Sequence, residues 1–514
     1  MNDVLWMLVF FQVAMGGFDT LYHHELTERL AWRPSQAGEL RLHGIRNLAY
    51  AAIFLVLGWS EPHGAAAVAL IILMVSEFIV TLWDFVEEDR TRKLPASERI
   101  THTLMTLNYG VVLAMLVPLL ARWAALPSGL TLAYYGLWSW LCGIAAIGVV
   151  ASGARDLAAA VRTVRIRPSD PAQLCGALEG RKAILVTGGT GFVGSRLVTA
   201  LVAAGHDVTV LTRSRANVAN LPAPVRTITS LDQIPDDTRI DAIVNLAGEP
   251  ISNGLWTMRK RRRILRSRLQ VTRGIVRLIG RLHAPPSVLV SGSAIGWYGL
   301  RGDEALDETS NGADCFSRKL CVRWEKAAMA ATAFSIRVVC IRIGLVLAAE
   351  GGMLSRLLTP FEFGLGGPFG TGRHWMSWIH RDDLVRLIIH AISTPALAGP
   401  VNGTAPAPVT NAAFAAALGR ALGRPARLPA PAMPLRFALG AFAEELLLGG
   451  QRVEPRAALE SGFRFVYPSI DEALATIVGR GDRGVDRCRL LGGSDGRLAS
   501  NAKMSFSPRR RKSI

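Results

Sequence analysis

Gly188, Gly191 and Gly194 stand three residues apart, and Phe192 and Val193 sit between the last two. The apolar run Ala183-Ile184-Leu185-Val186 precedes them, and Ser195-Arg196-Leu197-Val198-Thr199-Ala200-Leu201 follows with helical character. This arrangement suits a diphosphate. The first glycine permits a tight strand-to-helix turn, the second lets backbone approach the phosphates, and the third lets helix and strand pack closely. The helix N-terminus adds free N–H groups and the positive end of its dipole. An ordinary glycine-rich turn is the competing reading, and the strand before and helix after argue against it.

A second strand, Asp207-Val208-Thr209-Val210-Leu211, ends in Thr212-Arg213-Ser214, about twenty residues past the glycines, where an NAD(H) site carries an acid on the ribose hydroxyl. Arg213 would instead fork onto a 2′-phosphate, which predicts NADP(H); a plain surface arginine is the alternative. A third strand, Ala242-Ile243-Val244, runs into Asn245-Leu246-Ala247-Gly248-Glu249-Pro250. Asn245, Ala247 and Gly248 are expected to let the backbone pass close to the adenine and ribose.

The elements that must hold these residues alternate strand and helix from Lys182 onward, the mark of an α/β, doubly wound parallel sheet. The whole chain, at 514 residues, is long enough for two or three domains. It is 50% hydrophobic and 19% charged, with a mean hydropathy of +0.28, too apolar for an average soluble enzyme, so part of it belongs in lipid. Five apolar runs centre on 4–15, 48–58, 65–82, 104–120 and 130–150. The first is not a cleavable signal peptide, because Asp3 is the sole charge before it.

Basic residues gather after the first run (Arg29, Arg33, Arg41, Arg46), the third (Arg90, Arg92, Lys93, Arg99) and the fifth (Arg155, Arg162, Arg165, Arg167). The second connection has none and the fourth only Arg122. This alternation predicts an all-α, multi-pass domain in the cell inner membrane, with the N-terminus outside and everything after the fifth span in the cytoplasm. The expected organisation is a membrane domain over 1–155, a basic linker over 156–181, a nucleotide-binding domain over 182–399, a small lobe over 400–480 and a disordered basic tail over 481–514.

A net charge of +18 calls for an anionic partner: a phosphate-bearing cofactor, nucleic acid or acidic lipid headgroups. The run from Arg259 to Arg268 has no interleaved aromatics to stack bases, so anionic membrane lipids or phosphates are favoured and no nucleic acid is expected. Six scattered cysteines without a C-x-x-C pair indicate free thiols in a reducing compartment. Asp19, Tyr22, His23, His24, Glu25, His43, Glu77, Asp84, Glu87, Glu88 and His102 lie near a membrane face, where His and carboxylates could bind a metal, haem or quinone; solvated loop residues are the alternative. Their spacing matches no ligand pattern, so no metal site is expected.

Further along, Ser287-Val288-Leu289-Val290 leads into S-G-S-A-I-G-W-Y-G at 291–299. Together with T-G-G-T-G-F-V-G (187–194), N-L-A-G-E-P-I (245–251) and W-I-H-R-D-D-L-V (378–385), this resembles the extended short-chain dehydrogenase/reductase superfamily. More narrowly it resembles the atypical subgroup of "epimerase family" proteins, over residues 182 to about 480. The resemblance implies a Rossmann-like sheet, a small C-terminal lobe and a site of Ser plus Tyr-x-x-x-Lys, in which Tyr is the general acid/base. Ser293 matches the serine and Lys319 the lysine, but Cys315 stands where the tyrosine belongs, and Tyr298 is a conceivable substitute. His380, Arg381, Asp382 and Asp383 are expected to brace the C-terminal lobe. The expectation is a membrane-anchored, NADP(H)-binding epimerase/reductase-like protein for a nucleotide-sugar-like or lipid-linked small substrate. The alternative is a non-catalytic NADP(H)-binding redox sensor or assembly factor.

Overall fold

The computed structural model describes residues 2–166, 169–213, 218, 221–252 and 254–481. The expected tail beyond Gly481, Arg167-Pro168 and Ser214 lie outside the described residues.

The apolar runs form helices α1 (Asp3–Phe18), α2 (Ala37–Trp59), α3 (Ala65–Thr91), α4 (Ala96–Ala124) and α5 (Leu137–Arg165). A π-helix, Asp19–Glu28, continues α1. With these extensions, five helices among the described residues are long and apolar enough to cross a membrane. Leu5, Leu57, Met74 and Leu116 pack between them, whereas Ile72, Ile79, Leu107 and Ile147 point outward. Helices α2 and α5 approach at two glycines: a Cβ on Gly153 would lie 3.0 Å from the Gly44 carbonyl oxygen. Such small residues let helix backbones come together where no aqueous hydrophobic effect drives them.

The fifth run differs from its expected form at both ends. It begins as strand β2 (Gly129–Leu132), paired antiparallel with β1 (Ser60–His63). Gly136, at φ +62°, then turns the chain into α5. That helix continues to Arg165, past the boundary expected at 155, because the stretch is rich in alanine, holds no breaker and buries Ala159 and Ala160.

The α/β part contains β3 (Ala183–Thr187), β4 (Asp207–Leu211), β5 (Arg226–Ile228), β6 (Ala242–Asn245), β7 (Val288–Ala294), β8 (Ala305–Leu306), β9 (Arg337–Ile343), β10 (Leu345–Leu347), β11 (Trp375–Met376), β12 (Trp378–His380) and β13 (Gly399–Gly403). Seven of them form one sheet in the order β13-β9-β7-β6-β3-β4-β5, all parallel. Its connections supply α6 (Gly194–Ala203), α7 (Met258–Arg281), α8 (Phe316–Met329), α9 (Leu354–Glu362) and α10 (Arg381–Ser393). Val186, Val244 and Val290 face Leu197, Leu384 and Ile388 on one side. Leu185, Ile243 and Leu289 face Ile275, Leu278 and Ala328 on the other. Strands covered on both faces read as continuous apolar runs, and these do. The expected doubly wound, Rossmann-like sheet is present.

A further core joins the two parts. Leu30, Trp32, Leu40 and Ala160 pack in one cluster with Leu354, Leu358, Phe414 and Leu474. Arg162 lies 3.7 Å from the Trp32 ring centroid, and both Arg155 and Arg162 pair with Glu362 at the end of α9.

Candidate functional site

From β3 the chain winds to β4 and β5, whereas from β6 it winds the other way to β7 and β9. The crevice between the carboxyl ends of β3 and β6 is therefore the switch point at which doubly wound sheets bind ligands. Gly188 occupies it at φ +72°, and a Cβ there would lie 2.7 Å from the Leu246 carbonyl. The Gly191 N–H donates to the Gly188 oxygen at 2.9 Å. A Cβ on Gly194 would stand 2.1 Å from that same oxygen, so glycine is required by protein–protein contact there. Phe192 packs on Gly351 and Gly352 and lies beneath the Arg381 guanidinium, 5.4 Å from the ring centroid. Val193 packs against the sheet core. The loop is thus anchored by its side chains, leaving its backbone to line the crevice.

Asn245 ties the strand ends together. Its Oδ1 accepts from Thr187 Oγ1 at 2.7 Å, and its Nδ2 donates to Thr272 Oγ1 at 2.9 Å and Ser291 Oγ at 3.2 Å. The structure therefore gives this buried side chain a scaffolding position under the crevice. Ala247 follows beside Gly188. Gly248 has no room for a side chain, because Arg268 from α7 fills the space 2.8 Å from where a Cβ would be. Arg268 donates to the carbonyls of Glu249 and Ile264, lies over Trp324, and burial pulls its guanidinium down to about 10. Sequence reading missed Arg268; an arginine one α-turn past Ile264 on the buried face of α7 was the available signal.

Arg213 is exposed just beyond β4. Lys260 donates to Glu249 at 2.9 Å, and Arg263 lies 3.4 Å from the same carboxylate. The Lys260 hydrogen bond chiefly holds Glu249 below its usual range, and the charges of Arg263 and Arg213 add to it. Three cations thus converge on Glu249, past the end of β6.

The residues expected to do chemistry are not brought together as a unit. Ser293 Oγ donates to Glu325 Oε1 at 2.6 Å, and Glu325 forms a two-bond pair with Arg342 at 3.0 and 3.1 Å. Arg342 also donates to the Tyr298 hydroxyl at 3.0 Å and stacks on Trp297. Tyr298 is fully buried, donates to Asn402 Oδ1 at 2.7 Å, and burial pushes its hydroxyl up to about 12. Ser293 and Tyr298 therefore share one buried network with Glu325 and Arg342, neither of which was singled out as a site residue. Lys319 lies outside it, 63% exposed and paired with Asp314 at 2.9 Å. Cys315 is the N-cap of α8: its sulfur accepts from the Arg318 N–H, and burial pushes the thiol above its usual range. Glu445, from the helix Ala441–Leu446, accepts from the Phe316 and Ser317 N–H groups and from Ser317 Oγ. A carboxylate at the positive end of a helix is stabilising, and here it joins the helix Ala441–Leu446 to the start of α8.

On the opposite rim, Asp382 accepts two bonds from Arg196 of α6, and Asp383 accepts from the Val466 and Tyr467 N–H groups. Burial pulls His380 down to about 4, so its neutral Nδ1 can accept from the Asp382 N–H. The segment 380–383 thus ties α6, the helix after the glycine loop, to the backbone at Val466 and Tyr467.

The model of the NAD dependent epimerase/dehydratase family matches residues 184–402, and that of a domain of unknown function (DUF1731) matches residues 430–477. The chain is 40% identical over 307 residues to the chloroplastic epimerase family protein SDR39U1 homolog of Arabidopsis thaliana, covering 58% of this chain and 88% of that protein. It is 40% identical over 300 residues to epimerase family protein SDR39U1 of Bos taurus, covering 57% and 99%. A crystal structure of the human epimerase family protein SDR39U1 (isoform 2) with NADPH superposes with a TM-score of 0.52 at 36% identity, covering 58% of this chain and 99% of that one.

Proposed function

Because this chain belongs to the NAD dependent epimerase/dehydratase family, we propose that it binds NADP(H) in the crevice between β3 and β6 and presents it beneath a membrane. The observation that carries this reading is the turn at Gly188, Gly191 and Gly194 at the switch point of the sheet, where Gly188 stands at φ +72° and neither Gly188 nor Gly194 has room for a Cβ. Arg213, with Lys260 and Arg263 nearby, supports the 2′-phosphate. The NADPH bound to the human relative supports the same choice. Gly188, Gly191, Phe192, Val193, Gly194, Asn245, Ala247 and Gly248 are the proposed cofactor residues. The cofactor would supply or accept hydride; the chain's own residues bind and orient it and hold the Ser293–Glu325–Arg342 network beside it.

NADPH titrated into the full-length protein should bind at least about 10-fold more tightly than NADH. Arg213→Ala should remove most of that preference while leaving NADH affinity unchanged, since a charge-assisted bond contributes on the order of 1.5–3 kcal/mol. Tighter binding of NADH by the wild type would sink the assignment.

The membrane placement is supported by the outward apolar helix faces and by aromatic residues at one end of the bundle. There Trp6 stacks on Trp138 and Trp59 meets Trp140, as at a bilayer interface. At the opposite end Arg41, Arg90, Lys93 and Arg99 are exposed, suiting anionic lipid headgroups, whereas Arg155 and Arg162 are taken up by Glu362. In this reading the bundle is a multi-pass anchor in the inner membrane with the N-terminus outside. Alkaline phosphatase fused after residue 170 should then be inactive, and a fluorescent protein fused there should fluoresce; an active phosphatase would reverse the topology.

The substrate proposed is a nucleotide-sugar-like or lipid-linked small molecule, oriented by Ser293. A second reading, a non-catalytic NADP(H) sensor or assembly factor, is favoured by Cys315 in the tyrosine's place and by Lys319 at the surface. The two part on whether bound NADPH turns over with nucleotide sugars.

A further inference from the structure

The end of the helical bundle that meets the α/β part carries an unusual density of buried ionisable groups. Each of its first four helical segments contributes a pair at i, i+4 spacing: Asp19 and His23, Glu39 and His43, Asp84 and Glu88, Glu98 and His102. That spacing puts both members on one helix face. His24 joins them because Asp19–Glu28 is a π-helix, whose wider turn buries His23 and His24 alike. π-helical segments are rare and concentrate at functional sites.

Two sets of donors result, with His24 common to both. Asp19, His24, Glu98 and His102 each bring one ligand atom within 4.8 Å of the others, and so do His24, Glu39, His43 and Glu88. Donors around a single ion at about 2.1 Å lie roughly 3–4 Å apart, so modest side-chain adjustment closes either set.

Hydrogen bonds account for only part of this packing: His23 and His102 both meet Asp19, at 2.8 and 3.2 Å. His24 Nε2, His43 Nε2, Asp84 Oδ1 and Glu88 Oε2 are buried without a hydrogen-bond partner among the described residues. Yet His24 Nε2 lies 3.2 Å from Asp19 Oδ2 and 3.6 Å from Glu98 Oε1, and His43 Nε2 lies 3.1 Å from Asp84 Oδ2 and 3.8 Å from Glu88 Oε1. Five buried carboxylates (Asp19, Glu39, Asp84, Glu88, Glu98) face two guanidiniums. Arg92 clamps Glu39 and Glu98 at 2.8 and 2.6 Å, and Arg46 holds Asp84 at 2.7 Å. Buried negative charge in excess is costly. The His24 and His43 rings stack at 4.6 Å and 4°, which brings their Nε2 atoms to the same carboxylate cluster.

We propose that this cluster binds a divalent first-row transition metal, as one ion or an adjacent pair, through His24, His43, His102, Asp19, Glu39, Glu88 and Glu98. Imidazole mixed with carboxylate suits Fe²⁺, Mn²⁺ or Zn²⁺, and not the all-oxygen shells of Ca²⁺ or Mg²⁺. Arg92 fixes two of the carboxylates, and His23, bonded to Asp19 at 2.8 Å, fixes a third, as outer-shell partners do at metal sites. The site adjoins the nucleotide-binding part: Glu25 pairs with Arg155, Arg155 pairs with Glu362 of α9, and Gly351 and Gly352 ahead of α9 pack on Phe192.

The test uses full-length protein in detergent, purified without chelator and analysed for metals, then stripped and titrated anaerobically with Co²⁺. At least one equivalent of Co²⁺ per chain should bind, with ligand-field bands of nitrogen and oxygen coordination. In His24→Ala and in Glu88→Gln the Co²⁺ affinity should fall by roughly 100-fold or more, with NADPH binding retained as the check on folding. Stripped wild-type protein that binds NADPH but takes up less than roughly a tenth of an equivalent of Co²⁺ overturns the proposal, whatever the variants do. So does Co²⁺ affinity unchanged in a folded His24→Ala.

Discussion

Gly194→Ala is expected to weaken NADPH binding by about 100-fold or more, on the order of 3 kcal/mol, and to lower stability as well. The added Cβ would stand 2.1 Å from the Gly188 carbonyl oxygen, too close for any relaxation short of opening the loop. Opening it moves the Gly191 N–H off that oxygen and withdraws the start of α6 from the diphosphate. Overpacking of this kind costs about 1–3 kcal/mol of stability. Gly191→Ala is the informative contrast. Its Cβ would meet the Gly188 oxygen at 3.1 Å, which a small shift relieves, so that variant should keep nearly wild-type stability and lose binding through collision with the cofactor. Titration and thermal unfolding of both variants separate the two effects. A Gly194→Ala protein binding NADPH within about 3-fold of wild type would show that the loop does not cradle the nucleotide.

The largest stability effect is expected from Arg196→Leu. Arg196 and Asp382 form a two-bond pair at 2.8 and 2.9 Å, with side chains only 8% and 5% exposed. Arg196 also donates to the Ser169 carbonyl at 2.6 Å. Removing it strands a buried carboxylate, which costs about 3–5 kcal/mol. For a unit of this size that corresponds to a fall in unfolding temperature of roughly 10 °C. The double variant Arg196→Leu/Asp382→Leu should recover most of the loss, because replacing both partners leaves no unpaired charge. A fall in the single variant that the double variant does not recover would point to packing and not charge. NADPH binding should weaken in the single variant too, since Arg196 lies on the helix that begins at the glycine loop.

Local pattern determined much of this protein without help from tertiary contacts. The three glycines between an apolar run and a helix specify the turn at 188–194, because only glycine tolerates φ +72° at Gly188 and zero side-chain volume at Gly194. Runs buried on both faces specify the central strands β3, β6 and β7. Helix length and apolar composition specify the five long helices. The place of Arg213 just past β4 follows in the same way, counted from the glycines along one strand with no knowledge of what packs on it.

What required the fold were the encounters between residues far apart in the chain. Ser293 could be matched to a pattern, but its partner Glu325 is on another element, and Glu325 is held in turn by Arg342 from β9. Lys319 lies two residues before the buried Cys321 on α8, and the rotation of the helix turns it to solvent, where it meets Asp314. Tyr298 satisfied its hydroxyl on Asn402, more than a hundred residues away. The acids and histidines of the first four helical segments show no ligand motif in the sequence, because their donors converge across helices and through a π-helical turn that periodicity does not reveal. Sequence carries the chemistry of each strand and helix face; which faces meet is settled by long-range packing, and there the networks at Ser293 and His24 were made.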